Sequence, residues 1–412
     1  MALDGRRALF ISYNGMFEPL GQTQVIPYLT ELAKQGVAIT LLSFEKPNAI
    51  SAESCRELQQ RLSAQKIEWH WLRYHRRPTL AATAFDVVCG IRYANRLVQK
   101  NHIELIHARG HIPATIALWL KRRRAIKMIF DLRGLMAEEY ADANHWKEGG
   151  LPYRVTKATE RRILESTDAI VTLTERIWPI IKNWRGLNGR AVHHQVIPCC
   201  VDLSTFKFSA EDRQRRRTEL RLNDQFTVVY SGSLDGWYVT EKMADFFACM
   251  VRRQPSAHLL WLTMGSQERV EALMRERGIG SSNFSVRSVT SSDVPSYLSA
   301  ADAGISFIKT CFSKLASSPT KNGEYLACGL PLILNAGIGD SDALASDWNV
   351  GALVTEFTDE NYSQAIDKIE QLTRDPEIRN KARSVAKHLF DLESVGTERY
   401  TQLYERVFED LV

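Results

Sequence analysis

The stretch Phe226-Thr227-Val228-Val229-Tyr230-Ser231-Gly232-Ser233-Leu234-Asp235-Gly236-Trp237-Tyr238 reads as a short apolar strand entering a glycine-containing loop. Helical spacing follows around residues 241–252. An apolar run, a glycine turn and then a 3.6-residue period is how a strand feeds a helix in a parallel α/β sheet. The same beginning occurs once earlier. Residues 8–12 are apolar, and Ser12-Tyr13-Asn14-Gly15-Met16-Phe17-Glu18-Pro19-Leu20-Gly21-Gln22-Thr23-Gln24 follows as a loop. Val25, Ile26, Leu29, Leu32 and Ala33 then recur at helical spacing, with Gly36 closing the helix. Pro27 is tolerated there if it falls in the first turn.

Working outward, the first series has further strands at 37–44, 105–107, 126–131, 169–173 and 195–197. The second adds 257–262, 284–287, 303–307 and 332–335. A polar, strongly basic stretch at 207–223, read as a linker or an edge helix, separates the two series. The expected fold class is α/β: two doubly wound parallel-sheet, Rossmann-like domains in series, facing across a cleft. Their expected bounds are 1–203 and 204–390. Residues 391–412 form a last helix with no strand after it, expected to cross back onto the first domain. Ligands of such sheets bind outside the carboxyl ends of the strands, which directs attention to the loops after strands.

Composition excludes several classes. The 412 residues are 44% hydrophobic and 25% charged, an ordinary globular balance rather than a disordered or fibrous one. The longest apolar run, near 112–120, falls short of the ~20 residues a bilayer span needs, and the N-terminus does not read as a signal peptide. Seven cysteines at irregular spacing argue against a disulfide framework and for a reducing, cytoplasmic compartment. A formal charge of +5 is too small to argue for nucleic acid. It is concentrated at 73–77, 121–124 and 213–217. Solvated helix ends are one reading of these clusters. Docking to an anionic membrane surface, at its inner face, is the other, each basic residue adding on the order of 1 kcal/mol.

The sharpest loop is Ser317-Ser318-Pro319-Thr320-Lys321-Asn322-Gly323-Glu324-Tyr325-Leu326-Ala327-Cys328-Gly329-Leu330-Pro331. Ser318 suits an N-cap, Pro319 the first helical position, and Gly329 the helix end. A helix start offers free N–H groups and a positive dipole end to a diphosphate, and Lys321 adds a full charge. Glu324, one turn later on the same face, is placed to accept ribose hydroxyls. An ordinary capped helix with a surface glutamate remains the alternative at this point.

The run from Ser318 to Ile333, SPTKNGEYLACGLPLI, resembles the donor-binding motif of the glycosyltransferase group 1 family, retaining enzymes of GT-B fold and bacterial surface-polysaccharide type. The resemblance implies that the helix start, with Ser318, Pro319, Thr320 and Lys321, holds the donor diphosphate and that Glu324 binds its ribose. Such enzymes carry another glutamate eight positions earlier; here Ala316 stands there, and Lys314 or Lys309 is a substitute. Gly232, Ser233 and Lys242 match the family's second diphosphate loop, with Ser233 where an arginine is frequent. Gly15, Gly21 and Gln22 lie in a G-M-x-x-P-L-G-Q-[ST]-Q pattern like the family's first loop, near the transferred sugar. His111, Asp131, Arg133 and Glu139, at strand ends of the first domain, become the acceptor-side candidates. Val196-Ile197-Pro198-Cys199-Cys200-Val201-Asp202 is similar to the family's hinge.

The implied function is transfer of a sugar from a UDP-, GDP- or TDP-sugar to a glycan or lipid-linked acceptor, with retention of configuration. Arg133, Lys242 and Lys321 are the catalytic candidates, stabilising the leaving diphosphate. No cofactor and no essential metal are expected, although Asp340-Ser341-Asp342 has the letters of a DxD metal motif. The alternatives are a sugar-nucleotide epimerase on the same scaffold and a non-catalytic sugar-nucleotide-binding relative, the latter suggested by Ala316.

Overall fold

The computed structural model describes residues 3–411; the extreme ends of the expected first domain and last helix, 1–2 and 412, lie outside the described residues. Thirteen strands are described, all paired in parallel. β1 (Arg7–Ser12), β2 (Ala38–Glu45), β3 (Ile67–Arg73), β4 (Leu105–Arg109), β5 (Lys127–Asp131), β6 (Ala169–Thr172) and β7 (His193–Val196) form one sheet, in the order β3-β2-β1-β4-β5-β6-β7. β8 (Thr227–Ser231), β9 (His258–Leu262), β10 (Phe284–Arg287), β11 (Ala303–Ser306), β12 (Leu332–Asn335) and β13 (Gly351–Val354) form the other, in the order β10-β9-β8-β11-β12-β13. In both, the series starts in the middle and the order reverses beside the first strand, leaving a crevice at the carboxyl ends of β1 and β8.

The chain divides into two compact units, residues 3–198 with 392–411, and residues 199–391. The change of unit falls at Pro198–Cys199 rather than at 203/204. β1 is buried from Ala8 onward and β9 throughout, as strands covered by helices on both faces must be. In the second unit, Trp261, Phe246, Phe307 and Tyr230 are wholly buried in one such layer. The helix read from Val25 onward starts at Ile26, with Pro27 in its first turn, and follows a separate short helix, Pro19–Gln24.

Two strands are absent from the sequence reading. β3 alternates buried and exposed positions and carries Glu68, His70 and Arg73, because it is an edge strand. β13 is also an edge strand, only four residues long. The basic stretch 213–217 lies in a helix, Ala210–Leu220, with Arg213, Arg216 and Arg217 turned inward and Arg215 exposed beside Asp212. Arg213 and Arg217 donate to the carbonyls of Ser299, Ala300 and Ala301, and pair with Asp302. Arg216 pairs with Glu219 and donates to the Ser296 and Tyr297 hydroxyls. This cluster caps the end of the neighbouring helix Val294–Ala300 and is not a docking surface.

The last segment, a π-helical turn at Leu392–Thr397 and a helix at Glu398–Glu409, belongs to the first unit. Arg399 donates to the Val196 carbonyl at 2.8 Å, fastening this helix to β7. No helix among the described residues is long and apolar enough to cross a membrane.

Candidate functional site

In the second unit, one crevice is built where β8 ends and the helix Thr320–Ala327 begins. Gly304 on β11 lets this helix lie close, since a Cβ there would run into the Tyr325 ring. Tyr325 in turn accepts from the Ser231 N–H at 2.8 Å, tying the helix to the end of β8. Past the other end, Gly329 at φ 75 permits a Schellman close, with the Leu330 N–H donating to the Tyr325 carbonyl at 2.9 Å.

The helix start differs from the sequence expectation. Pro319, not Ser318, occupies the cap position, and no side chain caps the helix. The Ser318 hydroxyl instead accepts from the Cys199 N–H at 3.1 Å. The N–H groups of Thr320 and Lys321, which open the helix, are therefore left without a side-chain cap.

Gly232 and Lys321 meet directly. A Cβ on Gly232 would stand 2.7 Å from the Lys321 Nζ, so a side chain here would displace the ammonium. That ammonium donates to the Tyr238 hydroxyl at 2.7 Å and lies 4.0 Å above the Tyr238 ring. The Ser233 carbonyl accepts from the Tyr230 hydroxyl at 2.6 Å, which shapes the loop. Glu324 is half-buried, and its carboxylate makes no hydrogen bond or ion pair among the described residues. Burial pushes its pKa up, and Lys321 draws it back only in part. A charged cradle thus holds an uncapped helix start, an ammonium and an unengaged carboxyl group within one turn.

Lys242 is not part of this contact. It pairs with Asp245 on its own helix at 3.1 Å, and Asp245 also binds Arg277 at 2.6 Å. Lys314 is buried, with its ammonium 3.7 Å above the Trp237 ring; Lys309 is exposed and its N–H donates to the Trp237 carbonyl. Ala316 is buried in the same 3-10 turn as Lys314. Asp342 accepts from the Gly337 N–H at 3.0 Å, a turn-closing role.

In the first unit, the loop after β1 is folded on itself. The Met16 N–H donates to Glu45 at 2.7 Å, and a Cβ on Gly15 would collide with the same carboxylate. Gly21 abuts the Gly15 carbonyl, and the Gln22 amide bonds to Met16 and accepts from Arg61. Gln22 therefore holds the loop together.

Asp131, at the end of β5, is wholly buried. Arg109 lies 3.2 Å from it, Arg133 3.4 Å and His107 3.6 Å, and Tyr400 donates to it at 3.1 Å. Burial alone would raise its pKa; Arg133, His107 and Arg109 overcome that and hold it well below the usual carboxylate range. Burial also lowers the His107 pKa against the pull of Asp131. His111 opens the helix His111–Lys121 and sits 2.9 Å from Glu160, edge-on to Phe130. The Glu139 carboxylate lies against Gly134, where a Cβ would stand 2.8 Å from it.

Residues 212–389 match the family described as glycosyl transferases group 1, and residues 21–205 match glycosyltransferase family 4. The second half of the chain is thus a group 1 glycosyltransferase domain, and the chain as a whole is a glycosyltransferase. A similar curated glycosyltransferase is the uncharacterized YqgM of Bacillus subtilis (strain 168), 24% identical over 327 residues, spanning 76% of this chain and 81% of that one. Among solved structures, a glycosyltransferase from Rickettsia africae superposes with a TM-score of 0.74 at 13% identity, covering 98% of this chain and 99% of that one. Anabaena HepE in complex with UDP-glucose gives 0.67 at 16% identity, covering 97% and 99%. The fold of this glycosyltransferase is accordingly GT-B.

The structure gathers Gly232, Ser233, Pro319, Thr320, Lys321 and Glu324 in one place, and Asp131 with Arg133 in another. It leaves Lys242 paired apart and turns Ser318 to Cys199. Sequence reasoning missed Tyr400 and Tyr404, whose hydroxyls reach Asp131 and His107. Their four-residue spacing on an amphipathic helix reads as ordinary core, and only the fold shows what lies opposite.

Proposed function

We propose that this glycosyltransferase moves a sugar from a UDP-, GDP- or TDP-sugar to a glycan or lipid-linked acceptor, with retention and without an essential metal, on the cytoplasmic side of a membrane. The observation that carries the reading is the Gly232–Lys321 contact beside an uncapped helix start. Free N–H groups and an ammonium suit a diphosphate, and they stabilise its growing charge as the bond to the sugar breaks. Glu324, one turn on and without a partner, takes the ribose hydroxyls. HepE, in complex with UDP-glucose, shares the fold and supports a nucleotide-sugar donor.

Lys242 joins the diphosphate by exchanging Asp245 for phosphate, since an exposed i,i+3 pair is weak. Trp237, topped by Lys314, offers the donor sugar an aromatic face where the family's carboxylate is replaced by Ala316. Asp131 and Arg133 are held on the acceptor side, with His111 and Glu139 near the same strand ends.

The test is incubation with UDP-, GDP-, TDP- and CMP-sugars, read by thermal shift and by nucleotide release. Stabilisation by one donor, with slow release when no acceptor is present, supports transfer. Interconversion of sugars, or no response to any donor, overturns it.

A further inference from the structure

Of the three basic clusters in the chain, the structure engages all of one and, Arg122 apart, all of another. Arg213, Arg216 and Arg217 are spent on carbonyls, hydroxyls and carboxylates within their unit. Lys121 pairs with Asp168, Arg123 stacks on Trp119, and Arg124 donates to Asn95. Arg76 and Arg77 are different: both are exposed, and neither makes a hydrogen bond or ion pair among the described residues.

They lead into the helix Thr79–Lys100, which lies along the edge of the first sheet. Its inner face buries Ala82, Asp86, Gly90, Ala94 and Leu97. Its outer face is apolar where a soluble surface helix is ordinarily polar. Leu80 is 62% exposed, Phe85 55% and Val88 45%. Arg92 and Arg96 continue the same stripe, exposed and unpaired among the described residues. The one carboxylate in the helix, Asp86, is buried and committed to Tyr13 and His75. The outward stripe therefore holds three large apolar side chains between two pairs of free arginines and no negative charge. His75, locked to Asp86 at 2.6 Å and edge-on to Phe85, fixes the turn that presents Arg76 and Arg77.

We propose that this face docks on an anionic lipid bilayer, with Leu80, Phe85 and Val88 entering the headgroup boundary and Arg76, Arg77, Arg92 and Arg96 meeting lipid phosphates. Charge and apolarity combined along one helix stripe are what interfacial binding requires. The inference builds on the membrane-side placement proposed above and names the surface that achieves it.

The experiment is co-sedimentation of the full chain with phosphatidylcholine vesicles, with and without about one-third phosphatidylglycerol, at low and high salt. Binding that needs phosphatidylglycerol and falls with salt is expected. Arg76→Ser with Arg77→Ser should weaken it about thirtyfold, two basic contacts being lost. Leu80→Ser with Val88→Ser should weaken it at both salts. An unchanged melting temperature and unchanged nucleotide binding show that each variant is folded and keep this test separate from the donor assignment. Equal binding to both vesicle types, or undiminished binding by both variants, overturns the proposal. So does lipid-free self-association that the substitutions abolish, which would make the face a contact between copies of the chain.

Discussion

The ammonium of Lys321 rests on Tyr238, 2.7 Å from its hydroxyl and 4.0 Å above its ring. An aromatic ledge holds the cation in place without neutralising it, and Gly232 leaves the space it occupies. Gly232→Ala would put a methyl group where Lys321 lies. We expect nucleoside diphosphate affinity to fall about tenfold, with a modest drop in melting temperature because the φ of 156 at this position strains an alanine. Titration calorimetry on both proteins checks this.

Glu324→Ala removes a half-buried carboxylate that has no partner in the protein. Its upward pKa shift means burial disfavours the charged form, so the variant should be at least as stable as the wild type. Donor affinity should drop by about 1.5–3 kcal/mol, the value of hydrogen bonds to a charged group. Ribose and deoxyribose nucleotides should then bind equally well. A persisting preference for ribose would remove the assignment.

Tyr400→Phe takes one donor from buried Asp131. The expected cost is about 1–3 kcal/mol, seen as an earlier unfolding transition of the first unit, because the remaining partners are fixed and the lost bond cannot be replaced by water. Urea unfolding, with nucleotide binding to the second unit unchanged, is the check.

His107 contributes to the acid pH dependence together with His194 and His258. Burial lowers the folded pKa of all three from 6.5, so the unfolded chain takes up protons that the folded chain refuses. Stability should be full above about 6.5 and decline as the pH falls below it. Asp131, also lowered, adds a further loss only below about 3.9. His107→Gln should lessen the decline between about pH 7 and about pH 5 in thermal melts. An equal decline in that variant would assign it to His194 and His258 instead.

Most strands were legible because they are covered on both faces and read as plain apolar runs, as at β8 and β9. β3 was not, since an edge strand keeps Glu68 and Arg73 in water and breaks the run. Gly232, Lys321 and Glu324 were legible through their spacing about one strand end and one helix start. Ser318 was misread because a serine before Pro319 suits a cap, while its hydroxyl is claimed by Cys199 from a distant part of the chain. The inward turn of Arg213, Arg216 and Arg217 was hidden for the same reason: composition records charge, and only packing shows what meets it.

The central claim is that Lys321, beside Gly232 and the uncapped start of its helix, grips the diphosphate of a nucleotide donor. Titrating UDP, GDP and TDP into the wild type and into Lys321→Met tests it most directly. At least one nucleotide should bind the wild type and bind the variant at least about tenfold more weakly, with both proteins melting alike. Equal affinity in the two proteins, or no binding of any of the three to the wild type, would contradict it.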